Sequence, residues 1–288
     1  MVVYVTGGGL GFIGGHVVRE LRERGHDVLH EYVDVLDGPG LERAMDGCDA
    51  VVHVAALYSY DRRDEAALAR VNIEGTRTVL AAAARAGVSR IVHTSTAGTC
   101  GPVPGRPATE EDGPPDWELA VPYKRTKLEA ERLARAAGAV VVNPTTPIGD
   151  GDTRPTPTGA MIRGVASGRF RGYIPTTGLN VVDVRDVAVG HALALERGRP
   201  AERYLLGGVD LPLGDFFALV AAAAGRPRPR LRVPYGAARA ASALRLVNAD
   251  EVRLARLPTY FSSEKARREL GYEPGPVDAA VSRAVAAA

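Results

Sequence analysis

The sequence predicts an α/β fold in which a parallel sheet carries helices on both of its faces. Three observations favour this class. Short apolar runs end in glycine or hydroxyl residues, segments of helical periodicity lie between them, and a glycine-rich loop follows the first run. Strands that alternate with helices pair in parallel, because a helical crossover returns each new strand in the same direction.

The apolar runs and helical segments follow one another in a regular order. We expect strands at 2–5, 28–35, 50–55, 90–95, 139–142 and 181–184. We expect helices at 14–24, 64–86, 123–137, 160–166 and 186–196. Residues 1–150, completed by about 179–200, should form the core that contains the sheet. Residues 151–178 and 201–288 should form a smaller, mostly helical lobe that binds a substrate.

The composition of the 288-residue chain excludes several classes of protein. Apolar residues make up 45%, and the formal net charge is +2 with scattered basic residues, so we expect a globular enzyme without a nucleic-acid partner. No apolar run has the length of a membrane span, and Met1–Thr6 lacks the charged start of a signal peptide. We therefore expect a cytoplasmic protein without a membrane partner. Cys48 and Cys100 are too few for a disulfide framework, and the histidines show no metal-ligand spacing, so we expect no metal site.

Residues 5–15 (VTGGGLGFIGG) contain the glycine pattern Gly8-x-x-Gly11-x-x-Gly14 between a predicted strand and a predicted helix. Glycine allows a tight turn and a close approach of the backbone to a pyrophosphate, and the helix N-terminus adds amide donors and a favourable dipole. A strand–helix turn without a ligand would show similar glycines. The position after the first strand favours dinucleotide binding.

Tyr123 and Lys127 lie four residues apart in the segment PYKRTK, so a helix places both on one face. The pKa of a free tyrosine is about 10. A neighbouring ammonium lowers that pKa, so the pair can exchange a proton with a substrate hydroxyl or carbonyl. The chain uses arginine for nearly every positive charge, and its three lysines are Lys124, Lys127 and Lys265. A lysine at this spacing therefore indicates a specific role.

Three hydroxyl residues, Thr94, Ser95 and Thr96, lie at the end of the predicted strand at 90–95. Ligands of open parallel sheets bind beyond the carboxyl ends of the strands, so a hydroxyl at this place can hold a substrate oxygen beside Tyr123. Turn formation is the alternative, because serine and threonine favour turns. The hydroxyls by themselves do not decide between the two roles.

Several segments together resemble the extended short-chain dehydrogenase/reductases, the NAD-dependent epimerase/dehydratase group. They are the glycine loop, HVAA at 53–56, VNIEGT around Asn72, TSTAGTCG at 94–101, YKRTK, and NPTTPIG at 143–149. The stretches TPTGAMI and TGLNVVDVRDVAVGHALALERG are more similar to the hopanoid-associated sugar-epimerase-like proteins, with dihydroflavonol-reductase-like enzymes as the next nearest relatives. The C-terminal YFSSEKARRELGYEP is typical of the class, so the resemblance covers nearly the whole chain.

The resemblance implies a Rossmann-type doubly wound sheet with a small C-terminal substrate lobe, and NAD or NADP as cofactor. It implies that Tyr123 is the acid/base, that Lys127 lowers its pKa and binds the nicotinamide ribose, and that Thr96 and Asn72 complete the catalytic set. The implied cofactor-binding residues are Gly8, Gly11, Phe12, Ile13, Gly14, Ala55, Ala56, Tyr123, Lys127 and Pro144. The implied substrate contacts are Tyr58, Thr96 and Asn143.

Two departures from the family pattern fall in the half that would bind adenosine. The glycine loop has one extra residue, because Gly7 separates Thr6 from Gly8. The stretch 26–37 leaves no room for the crossover of roughly a dozen residues that two adjacent parallel strands need. We therefore predict one continuous strand over 26–37 and a sheet that lacks the usual outer strand.

The residue that would contact the adenosine ribose is also displaced. Tyr32 holds the place of the expected acidic residue, and Asp34 is our choice for the ribose. No basic site for a 2′-phosphate is evident, so the sequence does not distinguish NAD from NADP.

The first functional hypothesis is an NAD(P)-dependent oxidoreductase, epimerase or dehydratase that transfers hydride at a carbinol or carbonyl carbon of a small molecule, with Tyr123, Lys127 and Thr96 handling proton and oxygen. A carbonyl reductase of small-molecule metabolism is one alternative. A second is an enzyme with weakened cofactor binding that performs a redox-neutral elimination, isomerisation or cyclisation. A third is a non-enzymatic dinucleotide sensor, which has no need of all three residues. The resemblance also implies a homodimer through the helices at 64–86 and 123–137.

Overall fold

The computed structural model describes residues 1–8, 11–153 and 156–288. The strands are β1 (Val2–Thr6), β2 (Asp27–Leu29), β3 (Ala50–His53), β4 (Arg90–Thr94), β5 (Val140–Pro144), β6 (Thr146–Ile148), β7 (Gly172–Tyr173), β8 (Gly178–Asp183), β9 (Arg203–Leu206), β10 (Val209–Pro212) and β11 (Leu231–Arg232).

The helices are α1 (Phe12–Glu23), α2 (Gly38–Ala44), α3 (Glu65–Leu68), α4 (Gly75–Arg85), α5 (Asp116–Leu119), α6 (Pro122–Ala136), α7 (Pro157–Ala166), α8 (Val184–Arg197), α9 (Leu213–Ala223), α10 (Tyr235–Ala243), α11 (Ala249–Leu254), α12 (Glu264–Leu270) and α13 (Asp278–Ala286). A π-helical segment, Ala69–Glu74, joins α3 to α4, so the predicted helix at 64–86 is helical throughout.

In the described part of the chain, six strands form a parallel sheet in the order β2-β1-β3-β4-β5-β9. Side chains alternate along β1 and so enter two different cores. Val3 and Val5 pack with residues of α1 and α8, whereas Tyr4 packs with residues of α2 and α4. Helices therefore cover both faces of the sheet, and the predicted parallel α/β fold is confirmed.

The edge strand β2 is shorter than the sequence predicts. It pairs with β1 over Asp27–Leu29, and residues 30–36 leave the sheet before α2 begins. The prediction of one continuous strand over 26–37 is therefore wrong, because a strand continues only where its main-chain groups find partners in a neighbouring strand. No second strand follows β2 within 26–37, all of which the structure describes. As predicted, the sheet ends at β2 and lacks the usual outer strand.

The smaller lobe is built on a second apolar core. The strands β10, β8 and β6 form a sheet, and α7 and α9 contribute residues such as Ile162 and Phe216 to this core. Two segments of the predicted lobe at 201–288 belong to the first core instead. Strand β9 pairs with β5 in the central sheet, and Ala266 and Leu270 of α12 pack with residues of α8. The boundary at residue 201 is therefore wrong for these two segments.

Some features can be stated only for the residues that the structure describes. Within them, no helix combines the length and the apolar character needed to cross a membrane. Across the same residues, the His, Cys, Asp and Glu side chains form no group of three that could hold a metal ion. Cys48 and Cys100 are buried free thiols.

We predict that acid destabilises the fold through its buried histidines. Burial lowers the pKa of His53 to about 3 and that of His191 to about 4, and it lowers the pKa of His93 well below its usual value. A histidine in the unfolded chain has a pKa of about 6.5, so the unfolded state binds more protons below that pH. The free energy of unfolding should fall as the pH drops from about 6.5 towards 4, as urea titrations at several pH values would measure.

The variant His191→Gln provides a control, because glutamine does not titrate. Its free energy of unfolding should fall less steeply over the same pH range than that of the wild type. Equal slopes for the two proteins would contradict the assignment of this acid sensitivity to His191.

Candidate active site

Helix α6 places two of the predicted catalytic residues at the end of β4. The helix begins at Pro122, whose fixed φ suits the first helical position, so Tyr123 lies in the first turn and Lys127 one turn later. The Lys127 Nζ donates to the main-chain carbonyl of Thr94 at 2.8 Å. Thr96 lies near enough to the Tyr123 phenol to lower its pKa, in opposition to burial. Tyr123, Lys127 and Thr96 thus lie together beyond the carboxyl end of β4.

The surroundings of Tyr123 keep its phenol protonated. Burial raises the pKa of Tyr123 well above its usual value, Tyr58 raises it further, and the contact with Thr96 lowers it by less. Burial lowers the pKa of Lys127 to about 8, and Glu131 opposes this shift. That Lys127 lowers the pKa of Tyr123 stays a prediction, and burial of the phenol acts in the opposite direction here.

Two further tyrosines lie against Tyr123. The ring centroids of Tyr58 and Tyr123 are 4.4 Å apart, and Tyr60 meets Tyr123 edge-on at 5.9 Å. The Tyr58 hydroxyl donates to the Tyr60 hydroxyl at 3.1 Å. Because Tyr58 is exposed, the predicted substrate contact lies on an open aromatic surface beside the phenol. Sequence analysis missed Tyr60, since a tyrosine in a loop carries no periodic signal.

A buried ion pair supports the turn that follows Thr96. The Lys124 Nζ lies 3.2 Å from the Glu118 carboxylate, and both side chains are buried. Lys124 fills the space next to Gly98, where a Cβ atom would lie 2.1 Å from the Lys124 Nζ. Burial raises the pKa of Glu118, and Lys124 acts in the opposite direction. Lys124, the first of the three lysines, therefore packs against the turn that follows Thr96.

Glu131 is a buried carboxylate at the centre of a hydrogen-bonding network. One of its oxygens accepts from the Ser95 Oγ at 2.6 Å, the Thr99 Oγ1 at 2.6 Å and the Asn143 Nδ2 at 2.8 Å. Its other oxygen pairs with Arg203 of β9 at 3.0 Å. The network joins α6 to β4, β5 and β9.

Sequence analysis missed Glu131 and Arg203. Glu131 follows Lys127 by four residues, so a helix places it on the same face as the catalytic pair. That spacing was the available signal. The spacing did not single out Glu131, because most acidic residues on a charged helix are solvated.

The two asparagines of the predicted site hold loops in place. Asn143 is fully buried and donates to the main-chain carbonyl of Thr96 at 3.1 Å, so it does not face the open aromatic surface as a substrate contact. The Asn72 Oδ1 accepts from the Leu57 amide at 2.8 Å, and its Nδ2 donates to the Thr126 hydroxyl at 3.2 Å. Asn72 therefore ties the loop after β3 to α6, next to Lys127.

The glycine loop turns at Gly7, which has a φ of 64° in the left-handed region that favours glycine. A Cβ atom at Gly7 would lie 3.2 Å from the Ala55 Cβ, and one at Gly14 would lie 3.2 Å from the Gly7 carbonyl oxygen. These close approaches pack the loop against the start of α1 and the end of β3. Sequence analysis singled out Gly8 and Gly14 and treated Gly7 as the extra residue.

The remaining predicted cofactor residues lie around this loop. Gly11 caps α1 without a side-chain hydrogen bond, so the amides of the first turn stay directed at the loop. Phe12 and Ile13 form that first turn, half-buried. Of the alanines after β3, Ala55 is half-buried and Ala56 is exposed, and Pro144 is buried at the end of β5.

The predicted ribose contact, Asp34, forms a local hydrogen bond with the main chain. Its Oδ1 accepts from the Leu36 amide at 3.0 Å, and the side chain is exposed. His30 follows β2 directly and lies beside the loop instead, where a Cβ atom at Gly8 would come within 2.8 Å of the His30 Cβ. Sequence analysis did not single out His30.

Comparison with known proteins decides the family. The model of the NAD dependent epimerase/dehydratase family matches residues 3–207. The chain belongs to this family.

Relatives and solved structures match along almost the whole chain. A putative dihydroflavonol 4-reductase of Synechocystis is 35% identical, and the match covers 98% of this chain and 93% of the relative. Sterol demethylase protein B of Methylococcus capsulatus is 32% identical over 99% of this chain and 98% of the relative. The crystal structure of gox2253 superposes with a TM-score of 0.88 at 35% identity, covering 99% of this chain and 97% of the other.

Family membership makes this protein an NAD(P)-dependent enzyme of the extended short-chain dehydrogenase/reductase class. The site fits a dinucleotide. The left-handed Gly7, the Gly14 that allows close packing and the side-chain-free cap of α1 leave main-chain amides for a pyrophosphate. Lys127 would be the residue to hold a nicotinamide ribose, as the sequence analysis predicts, and its Nζ lies at the end of β4. A bound nicotinamide exchanges hydride with a substrate carbon.

We predict that Lys127→Met stabilises the folded protein. The pKa of Lys127 falls from 10.5 to about 8, which corresponds to a cost of about 3 kcal/mol for keeping the ammonium buried at neutral pH. Loss of the hydrogen bond to Thr94 costs about 1 kcal/mol and so offsets part of this gain. Methionine fills a similar space, so urea unfolding at pH 7 should show a gain of roughly 2 kcal/mol.

The gain from Lys127→Met should depend on pH in a defined direction. Because the folded pKa lies below the unfolded value, the unfolded state binds more protons between pH 8 and 10.5, and wild-type stability rises with pH across that window. The advantage of the variant should shrink over the same window. Arg125→Met, on the exposed face of α6, is the matched control, because arginine does not titrate there. A constant advantage across the window would contradict the prediction.

Proposed function

We propose that the site reduces a carbonyl group of a small-molecule substrate, with Tyr123 donating the proton to the substrate oxygen. The meeting of Tyr123, Thr96 and Lys127 beyond β4 carries this proposal. The cofactor supplies the hydride, and the side chains of the chain bind, orient and protonate.

The protonation state of Tyr123 favours reduction. Since burial raises its pKa, the phenol holds its proton at neutral pH and can donate it to an oxygen that gains negative charge. The Thr96 hydroxyl orients the same oxygen. The Lys127 ammonium has three donors and gives one to Thr94, so others are available for a ribose hydroxyl.

We propose further that the substrate is uncharged and carries fused or aromatic rings. Tyr58 and Tyr60 offer aromatic area beside the phenol, and one ring pair contributes about 0.5–1.5 kcal/mol beyond the buried area. Burial is the main cause that raises the pKa of both tyrosines, and Glu251 raises both further, so a carboxylate lies near this surface and disfavours a phosphorylated substrate. The relatives named after a dihydroflavonol and a sterol support the same class.

A redox-neutral reaction is the second candidate. The shortened edge after β2 and the extra residue in the glycine loop favour it, because both fall where adenosine would bind. In that case the same phenol and hydroxyl would move a proton without net hydride transfer. We also propose that the protein is a cytoplasmic homodimer formed through α4 and α6, which membership of the class supports.

Fluorescence titration with NADH and NADPH tests the proposed cofactor half. We expect micromolar binding of at least one of the two. His30→Ala should weaken this binding more than Asp34→Ala, because His30 lies beside the glycine loop whereas Asp34 is bonded locally. If the folded protein binds neither cofactor, reduced or oxidised, the redox proposal fails and the redox-neutral candidate takes its place.

We predict that Tyr123→Phe abolishes most of the turnover while the protein stays folded. Loss of a general acid lowers the rate by about 10²- to 10⁴-fold. The assay follows cofactor oxidation with a panel of steroid and flavanone ketones, and NADPH or NADH binding reports the integrity of the site. Tyr173→Phe is the matched control, because that ring packs against Phe217 in the lobe, 6.2 Å between centroids. Full turnover of Tyr123→Phe would refute the assigned role.

A further inference from the structure

The segment 226–248 accounts for the net positive charge of the chain. It contains six arginines and no acidic residue, so its formal charge is +6. Since the whole chain has a net charge of +2, the rest of the chain has −4. The arginines are Arg226, Arg228, Arg230, Arg232, Arg239 and Arg245.

All six arginines are exposed, and within 1–8, 11–153 and 156–288 none of them forms an ion pair. A surface of unpaired cations of this density repels itself. It is therefore suited to an anionic partner.

Large apolar side chains project from the same segment. Leu231 is 62% exposed, and Leu244 and Leu246, which follow α10, are 72% and 73% exposed. Arg245 between them has a left-handed φ of 59°, so the chain turns sharply at this point. Isolated exposed leucines are ordinary, but several in one cationic segment mark an interaction surface.

A neighbouring ribbon extends this cationic and apolar surface. Strand β11 pairs in parallel with β7, with Leu231 opposite Gly172. The residues just before β7, Arg169, Phe170 and Arg171, are all exposed. Exposed arginines and apolar side chains therefore lie next to one another in β11 and in the residues that lead into β7.

The segment ends at the rim of the candidate active site. Asn248 directly follows the exposed loop and donates to the main-chain carbonyl of Tyr60 at 3.3 Å. Two residues later, the buried Asp250 pairs with Arg62 at 2.9 Å. Glu251 lies close enough to raise the pKa of Tyr58. The loop that carries Leu244 and Leu246 thus leads directly into the residues that contact the loop of Tyr58 and Tyr60.

We propose that the segment 226–248 docks on an anionic lipid surface, with the loop around Leu244 and Leu246 inserted among the headgroups. Interfacial segments combine arginine or lysine, which bind anionic headgroups, with apolar side chains, which enter the acyl boundary. A single-stranded nucleic acid fits less well, because base stacking needs exposed aromatic rings, whereas the projecting side chains here are mainly leucines.

This docking brings the mouth of the site to the bilayer. The sequence expectation of no membrane partner rested on the absence of a spanning segment and of a signal-peptide start, neither of which bears on surface docking. Vesicle binding does not depend on the proposed carbonyl reduction. Only the delivery of an apolar substrate from the bilayer rests on that proposal.

Sedimentation of the full chain with lipid vesicles tests the docking. We expect binding to phosphatidylcholine vesicles that contain about 30% phosphatidylglycerol, weak binding to pure phosphatidylcholine, and a loss of binding at high salt. The double variant Leu244→Ser/Leu246→Ser should lose roughly tenfold in vesicle affinity. Arg228→Gln/Arg230→Gln should also weaken binding, by about fivefold for each charge that contacts the surface.

The controls separate docking from misfolding. Val209→Ser removes an apolar side chain of β10 that is 41% exposed and lies outside the segment, so this variant should bind vesicles like the wild type. Circular dichroism and cofactor titration confirm that each variant is folded. The proposal is overturned if the folded wild type binds neither kind of vesicle. It is also overturned if the leucine variant binds vesicles as well as the wild type and single-stranded RNA competes, which would identify a polyanion site. These readouts need no catalytic activity, so they remain valid if Tyr123 proves dispensable.

Discussion

The buried ion pair between Glu131 and Arg203 holds together the elements on which the candidate site is built. A buried pair offsets the cost of desolvation only when its remaining donors and acceptors are also bonded. Here Ser95, Thr99 and Asn143 donate hydrogen bonds to one carboxylate oxygen of Glu131. Arg203 also donates to main-chain carbonyls near β9. The orientation of α6 is therefore fixed against three strands. The first turn of that helix, which carries Tyr123, is therefore positioned by this network.

The same region concentrates basic groups that are costly to bury. Burial and the nearby ammonium of Lys127 both lower the pKa of His53 and of His93, so these rings stay neutral at pH 7. The positive charge at the end of β4 is then localised on Lys127, whose pKa burial lowers to about 8. Keeping that charge close to Tyr123 costs stability, and the Glu131 carboxylate one turn away recovers part of it. The buried ammonium of Lys127 lowers the stability of the fold, and buried groups with shifted pKa values are typical of functional sites.

Periodicity predicts most of the central fold, because each buried strand and each amphipathic helix carries its own apolar pattern. The extents of β2 and β9 were not predictable in the same way, since a strand exists only where the fold supplies a neighbour. Residues 30–36 lack such a neighbour, while the four residues of β9 gain β5. Residue type and spacing predicted Tyr123 and Lys127 as a pair, the family resemblance predicted Thr96, and the catalytic roles of all three stay predictions. Glu131 was not identifiable, because the pattern of a charged helix does not distinguish a buried carboxylate from a solvated one.

The two ends of the sheet are held by different interactions, so one end can change without the other. At the β2 edge the stabilising contacts are apolar: Val35 packs so closely on α4 that a Cβ atom at Gly75 would lie 2.6 Å from it, and His30 packs on Gly8. At the other end the polar network of Glu131 spans β4, β5 and β9. The absence of an outer strand affects the interactions at the β2 edge alone. The residues after β2 cover the space that is left. The geometry around Tyr123 depends on the second set and is therefore preserved.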